Sequence, residues 1–306
     1  MADSPLCRGR FAPSPTGDLH FGSLVAAVGS YLAARSAGGE WLVRVEDLDT
    51  PRVVPGSADR ILKNLEALGF EWSGSVLYQS TRFEAYGEAL EQLLEAGGAF
   101  YCSCSRREIQ AAQLARPQRA ADEPYYPGWC RAGVRVPDRD WAVRFRVPDG
   151  AIYFEDAIQG ATVTDLATDT GDFVIRRRDG WFAYQLAVVL DDAAQAITHV
   201  VRGADLLNST PRQIALQRAL GLATPMYAHL PLVTDENGIK LSKSAGTGAL
   251  DLRNPTHELW RALRFLRQKP PLELRLNGLS TLWDWAIRNW QVHSLRGISM
   301  ASAEVL

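Results

Sequence analysis

Apolar and polar positions along the chain follow a helix–strand rhythm that holds at both ends and breaks in the middle. Arg8 to Ala12 reads as a short strand entering a turn, and the Ala/Leu/Val-rich run from Phe21 to Ala37 as a helix stopped by Gly38 and Gly39. Trp41 to Val45 alternates like a buried strand. Further helices are expected from Ser57 to Leu68, just after Pro55, and from Phe83 to Ala96, ahead of Gly97 and Gly98. Strands and helices taking turns at these lengths predict a parallel α/β sheet.

From Tyr101 the pattern changes to cysteines, arginines and short β-like runs such as "WAVRFRVP" and "GDFVIRRRDG", which read as an insertion. The earlier rhythm resumes with "WFAYQLAVVLDDA" and "AITHVVRG", a helix from about Thr210 to Leu220, an apparent strand "AHLPLV" and a turn "DENG". Helices are expected around His257 to Leu266 and Thr281 to Gln291, with a polar tail to Leu306. A parallel sheet interrupted by one insertion is the economical architecture.

Composition narrows the class. The 306 residues are 46% hydrophobic, enough for an ample core. The N-terminus has neither the basic start nor the apolar run of a signal peptide, and no segment approaches the roughly 18 uncharged residues of a membrane span. A cytoplasmic protein without a membrane partner is expected. Net charge is −2, so no global basic field marks a nucleic-acid partner. Locally the balance shifts: from Arg106 to Arg146 there are nine arginines and five acids, interleaved with Tyr125, Tyr126, Trp129 and Trp141. That stretch is either a phosphate-contacting surface or a solvated arginine-rich face.

Three stretches carry candidate chemistry. In "RFAPSPTGDLHFGS" a strand, a constrained turn and a helix start adjoin, and helix N-termini offer free N–H groups to anions. His20 would donate to phosphoryl oxygens, and Gly22 would let a flat ligand approach the backbone. In "GIKLSKSAG", Lys240 and Lys243 are two of only four lysines in the chain, mobile point charges suited to following phosphate charge as it develops. Cys102, Cys104 and Cys130 supply three soft ligands of the kind zinc favours, and Tyr125, Tyr126, Asp122 and Glu123 are the nearby donors for a fourth position.

"RFAPSPTGDLHFGS", "RVEDLD", "YQLAVVLDD", "VVRGADLL" and "KLSKS", in this order, resemble the catalytic core of glutamyl-tRNA synthetase among the class I aminoacyl-tRNA synthetases. His20 to Ser23 matches the HIGH-type motif and Lys240 to Ser244 the KMSKS-type loop. Only 62 residues follow Ser244, so the resemblance is closer to the truncated glutamyl-queuosine tRNA(Asp) synthetase family. It implies a Rossmann-like catalytic domain in two halves (1–100 and 181–250), a zinc-containing, acceptor-binding insertion (101–180) and a helical C-terminal segment (251–306).

The same resemblance implies an AMP-forming ligase. Glutamate would be activated with ATP and Mg²⁺ without tRNA, then moved to the queuosine of the tRNA(Asp) anticodon. His20, Gly22, Lys240 and Lys243 would handle ATP, with Lys243 stabilising the departing pyrophosphate. Arg10, Phe11, Ala12, Pro13, Ser14, Glu46, Tyr184 and Arg202 would form the glutamate pocket, with Glu46 facing the ammonium and the two arginines the carboxylates. Cys102, Cys104, Tyr126 and Cys130 would hold one structural zinc ion. A monomer is expected. Val188 stands where glutamyl synthetases commonly have asparagine, which implies one polar contact fewer. Charging of the tRNA 3′ end and a catalytically silent tRNA-binding role are the competing readings of the same motifs.

Overall fold

The computed structural model describes residues 6–113, 124–235 and 250–302. In chain order the first elements are β1 (Arg8–Phe11), α1 (Phe21–Arg35), β2 (Glu40–Val45), α2 (Ser57–Ala67), β3 (Leu77–Tyr78), α3 (Phe83–Glu95), β4 (Ala99–Cys102) and α4 (Arg106–Gln113). Then come β5 (Ala142–Phe145), β6 (Ile152–Asp156), β7 (Gly160–Thr164), α5 (Leu166–Asp169), β8 (Phe173–Arg176), α6 (Tyr184–Ala194), β9 (His199–Gly203) and α7 (Thr210–Ala219). The chain closes with β10 (Met226–Leu230), β11 (Leu232–Thr234), α8 (Pro255–Phe265), α9 (Leu279–Asn289) and β12 (Met300–Ser302). Helix boundaries fall within about two residues of those read from the pattern, the usual latitude at frayed ends.

The main sheet has the order β3-β2-β1-β9-β10-β6-β7, parallel throughout except for the antiparallel β6–β7 hairpin. From β1 the chain winds outward through β2 and β3, then returns to lay β9 and β10 on the other side of β1. The crevice at the C-terminal ends of β1 and β9 is therefore the topological switch point, where open α/β sheets bind ligands.

Two expectations are corrected. The stretch read as one insertion divides between two sheets. β4, β5 and β8 form a separate antiparallel sheet, whereas β6 and β7 extend the main one beside β10. "AHLPLV" is two strands rather than one: Pro231 has no N–H to continue a ladder, and the chain leaves the main sheet there. β11 instead pairs in parallel with β12, which lies in the stretch read as a polar tail.

α1 is apolar nearly all round because it is covered on several sides, by β1, β2, β9 and α8. The C-terminal helices are part of the same core. Trp283 of α9 packs on Tyr31 and Phe70 at centroid distances of 4.7 and 4.9 Å and donates its indole N–H to the Leu68 carbonyl at 2.9 Å. Trp41, fully buried beside them, stacks on Phe70 at 5.3 Å. Each such side chain contributes on the order of 2–3 kcal/mol of burial, which ties residues 279–289 to the first α/β unit. Among the described residues no helix is long and apolar enough to cross a membrane.

Candidate active site

The loop after β1 explains its own composition. Pro13 and Pro15 expose carbonyls that accept the N–H groups of Glu46 and Val54 at 3.0 and 2.9 Å. Gly17, at φ 132°, exchanges hydrogen bonds with the Ser57 hydroxyl at 2.7 and 3.1 Å. The loop is thus anchored to the end of β2 and to the start of α2.

His20 caps α1 in an extended conformation, its Nδ1 accepting the Ser23 N–H at 3.3 Å. A neutral ring that accepts at Nδ1 carries its proton at Nε2. Gly22 makes this cap possible, because a Cβ there would sit 3.1 Å from two atoms of the His20 ring.

Two adjoining cavities occupy the switch point. One, of about 620 Å³, is lined by Arg10, Phe11, Ala12, Ser14, Glu46, Tyr184 and Arg202, among others. The second, of about 560 Å³, is lined by Pro13, Ser14, His20, Gly22 and Ser23 together with Leu230 and Val233. Phe11, Ser14, Ala26, Arg52, Gly203 and Asp205 belong to both walls. Lys240 and Lys243 lie outside the described residues. Val188, one turn after Tyr184, is buried in an apolar cluster with Leu186 and Val189 rather than lining the cavity.

The floor of the first cavity is an ion-pair network. Arg10 presents Nε and Nη2 to the two carboxylate oxygens of Asp192 at 3.0 and 3.3 Å. Arg44, completely buried, reaches Asp192 at 2.8 Å and Glu46 at 3.3 Å. Burial works against the Asp192 charge, but Arg10 and Arg44 outweigh it and hold this carboxyl below its ordinary range. At Glu46 the balance is opposite: burial wins over the pull of Arg44 and Arg10, and the carboxyl is raised. Arg202 donates to the Tyr184 hydroxyl at 3.3 Å, the Thr210 hydroxyl at 2.9 Å and His229 Nε2 at 3.1 Å.

Arg44, Asp192, Asp156 and His229 were not among the residues singled out from the sequence. A pair of acids closing the apolar run "YQLAVVLDD" is the one signal that pointed to Asp192. For the others no local pattern exists.

Beside β4 the sulfurs of Cys102, Cys104 and Cys130 lie within 4.8 Å of one another, all three residues buried. The Tyr126 hydroxyl approaches the Cys102 and Cys104 sulfurs at 3.4 and 3.9 Å. Tetrahedral coordination with about 2.3 Å metal–sulfur bonds puts sulfurs about 3.8 Å apart, close to the 3.5 Å between Cys104 and Cys130. Burial opposes ionisation of Cys130, but the backbone N–H groups of Arg135 and Ser103, with Tyr126 and Cys104, bring its thiol down to about 6. Burial, the hydrogen bond with Cys130 and the adjoining sulfurs push Cys104 up to about 12. Arg144 adds a positive charge 3.3 Å from the Cys102 sulfur and stacks on the Tyr126 ring at 4.0 Å. The three sulfurs could hold a soft divalent cation, and a fourth bond from Tyr126 would close the set with no open position, as in a structural site.

A third cavity, of about 1070 Å³, runs from Cys104 past Arg106, Arg144, Arg178 and Arg212 to Tyr184, where it meets the first. The cysteine cluster holds part of this wall, since Arg178 donates to the Ser103 carbonyl at 2.5 Å.

The doubly wound parallel sheet with its cleft at the switch point, and the cysteine-bearing antiparallel sheet beside it, belong to a class I aminoacyl-tRNA synthetase catalytic domain. Residues 7–254 match the family model described as tRNA synthetases class I (E and Q), catalytic domain. The chain is 57% identical over 283 residues to a glutamyl-Q tRNA(Asp) synthetase of Dechloromonas aromatica, covering 92% of this chain and 93% of that one. It is 52% identical to the protein of that name from Chromobacterium violaceum, covering 94% of each. Among solved structures, the glutamate-tRNA synthetase of Elizabethkingia anophelis superposes with a TM-score of 0.80 at 27% identity, over 97% of this chain and 68% of that one. The chain belongs to the glutamyl-Q tRNA(Asp) synthetase family, a branch of the class I synthetases for glutamate and glutamine. It is an enzyme, a ligase of the aminoacyl-tRNA type.

Proposed function

We propose that the protein activates L-glutamate with ATP in the absence of tRNA and transfers the glutamyl group to queuosine in the anticodon of tRNA(Asp). The observation that supports glutamate as the amino acid is the charge of the first cavity. Arg10, Arg52, Arg177 and Arg202 line it against Glu46, Asp49 and Asp205, an excess of one positive charge that complements the net negative charge of glutamate. The names of the relatives support the second half.

Glu46 receives the ammonium, and Arg10 and Arg202 receive carboxylates. Asp192 already occupies the Nε/Nη2 edge of Arg10, which fixes its direction before a substrate arrives. The glutamate α-carboxylate oxygen attacks the α-phosphorus, and the bond from that phosphorus to pyrophosphate breaks. ATP lies in the second cavity, where Nε2–H of His20 and the start of α1 meet phosphate oxygens. Lys240 and Lys243 take the triphosphate and the departing pyrophosphate. Mg²⁺ supplies neutralisation of the phosphate charge. In the second step a queuosine hydroxyl oxygen attacks the acyl carbon, AMP leaves, and the hydroxyl proton is released to solvent. Cys102, Cys104, Tyr126 and Cys130 hold zinc and pin the antiparallel sheet. The enzyme works as a cytoplasmic monomer.

The test uses labelled glutamate, ATP and bulk tRNA from cells with or without queuosine. Label should appear only on queuosine-containing tRNA and in its anticodon fragment; label on the 3′-terminal adenosine would sink the reading. Lys243→Ala should abolish glutamate-dependent ATP–pyrophosphate exchange, and an unchanged rate would refute its role.

A further inference from the structure

Behind Arg202, away from the cavity, runs a completely buried chain of polar groups that the reaction scheme does not use. His229 of β10 and Asp156 of β6 are both fully enclosed. Nδ1 of His229 lies 2.6 Å from one carboxylate oxygen of Asp156. The other oxygen of Asp156 is taken by the backbone N–H groups of Ile158, Gln159 and His229 at 3.0, 2.8 and 3.1 Å. Asp156 is therefore locked in place and has one acceptor left, for which a ring N–H is the natural donor. On the far side of the ring, Nε2 faces the Nε–H of Arg202 at 3.1 Å. Arginine has only donors, so Nε2 must present a lone pair. Both contacts demand the same neutral tautomer, protonated at Nδ1.

We propose that Asp156 and His229 are positioning residues for Arg202: the carboxylate sets the imidazole tautomer, and the imidazole lone pair turns the guanidinium toward the substrate cavity. The Thr210 hydroxyl and the Leu206 carbonyl hold Nη2 at 2.9 and 3.4 Å, and Nη1 is left toward Tyr184 and the cavity. The arrangement crosses four elements: β6, β10, β9 and the start of α7. It assigns a purpose to the β6–β7 hairpin, which carries Asp156 into the main sheet instead of into the antiparallel one.

The charges around the ring agree with a neutral imidazole. Burial lowers its basicity first; Asp156 pulls it back up, while Arg202 and, from β1, Arg10 push it down, and the net direction is down. Tyr227 on its own strand stacks on it at 6.2 Å, and Thr210 from α7 faces Nε2 at 3.2 Å.

The proposal rests on Arg202 lining the glutamate pocket, and its test has one arm that needs no substrate. Nitrogen-15 NMR of histidine in the wild-type protein should show His229 protonated at Nδ1. Asp156→Asn, nearly isosteric, turns an amide N–H₂ toward Nδ1, so the proton should move to Nε2 and oppose the Arg202 donor. Glutamate KM should then rise about ten- to a hundredfold, the range for a displaced charge-assisted hydrogen bond, with ATP KM changed less than twofold. His229→Gln tests the same link without the tautomer. An Nε2-protonated ring in the wild type overturns the proposal, as does a tautomer shift that leaves glutamate KM unchanged or raises both KM values together. A wild-type enzyme with the expected tautomer but no glutamate-dependent exchange would instead overturn the functional reading.

Discussion

Arg10 and Asp192 meet as a two-pronged pair, Nε and Nη2 against the two carboxylate oxygens at 3.0 and 3.3 Å, although 182 residues separate them in the chain. The pair joins the end of β1 to the last turn of α6, and Arg44 closes on the same carboxylate from β2 at 2.8 Å. Removing one partner of a buried pair leaves the other charge uncompensated, a loss of about 3–5 kcal/mol. Asp192→Asn should therefore lower unfolding stability by that amount in urea titrations. Because the folded-state pKa of Asp192 lies below its ordinary value, its contribution is complete above about pH 4, the unfolded pKa. It is lost as pH falls further through the folded value. The wild type should lose its advantage over the variant in that window, and a constant difference down to pH 2 would contradict the assignment.

Glu46 sits on the other side of the same network with the opposite shift. Burial raises its carboxyl, so in the empty pocket it takes up a proton at a higher pH than an ordinary glutamate. An ammonium ligand requires the ionised form. Glutamate KM should climb as pH falls through that raised value, by up to about tenfold per unit, and binding in that window should release a proton. Isothermal titration in buffers of different ionisation enthalpy measures the release. Glu46→Gln should flatten the pH dependence and raise glutamate KM about ten- to a hundredfold.

How far these groups were legible in the sequence follows from the kind of interaction each makes. His20 and Gly22 lie within one helix start and Cys102 and Cys104 are two residues apart, so local motifs pointed to them, while Cys130 lies 26 residues after Cys104. β1, α1 and β2 have strong local periods and were read nearly to the residue. The β6–β7 hairpin was grouped with an insertion because alternation in a short strand does not say which sheet it joins. Arg44 looked like an ordinary strand residue. Its partner Asp192 is 148 residues away, and pairing across elements leaves no periodic trace. His229 was hidden for the same reason, inside "AHLPLV", where its neighbours argued only for a buried strand.

Gly38 and Gly39 looked equivalent as a helix stop, and the structure separates them. Gly38 adopts φ 68° in open space, so alanine there meets only the left-handed backbone penalty, about 1 kcal/mol. A Cβ at Gly39 would lie 2.0 Å from the Cys7 carbonyl oxygen, which also accepts the Glu40 N–H at 2.9 Å. Backbone cannot yield as a side-chain tip does, and Gly39→Ala should cost about 3 kcal/mol or more. Since the clash falls where β1 and β2 begin to pair, it would also shift Arg10 against Leu42 in the register and impair glutamate activation. Thermal unfolding of the two variants side by side checks the contrast; equal losses would show that the close approach is dispensable.

The cysteine cluster supplies the last prediction, because it supports arginines as well as a sheet. The sulfur of Cys102 holds the Arg144 Nε at 3.3 Å, and the intervening Ser103 carbonyl holds Arg178 at 2.5 Å. Both arginines line the cavity that opens beside Tyr184. Stripping the proposed zinc with a chelator, or replacing Cys104 by serine, should loosen β4, β5 and β8 while the main sheet keeps its own core. Metal analysis should find one zinc ion per chain in the purified protein and none in Cys104→Ser. Hydrogen exchange should speed up at Ala99–Cys102 and Ala142–Phe145 and stay slow at His199–Gly203. On the proposed scheme glutamate-dependent exchange draws on the first two cavities and should fall less than threefold, whereas transfer to tRNA, if the arginine wall grips the acceptor, should fall at least tenfold. Equal loss of both steps would show that the cluster supports the whole fold rather than the acceptor side alone.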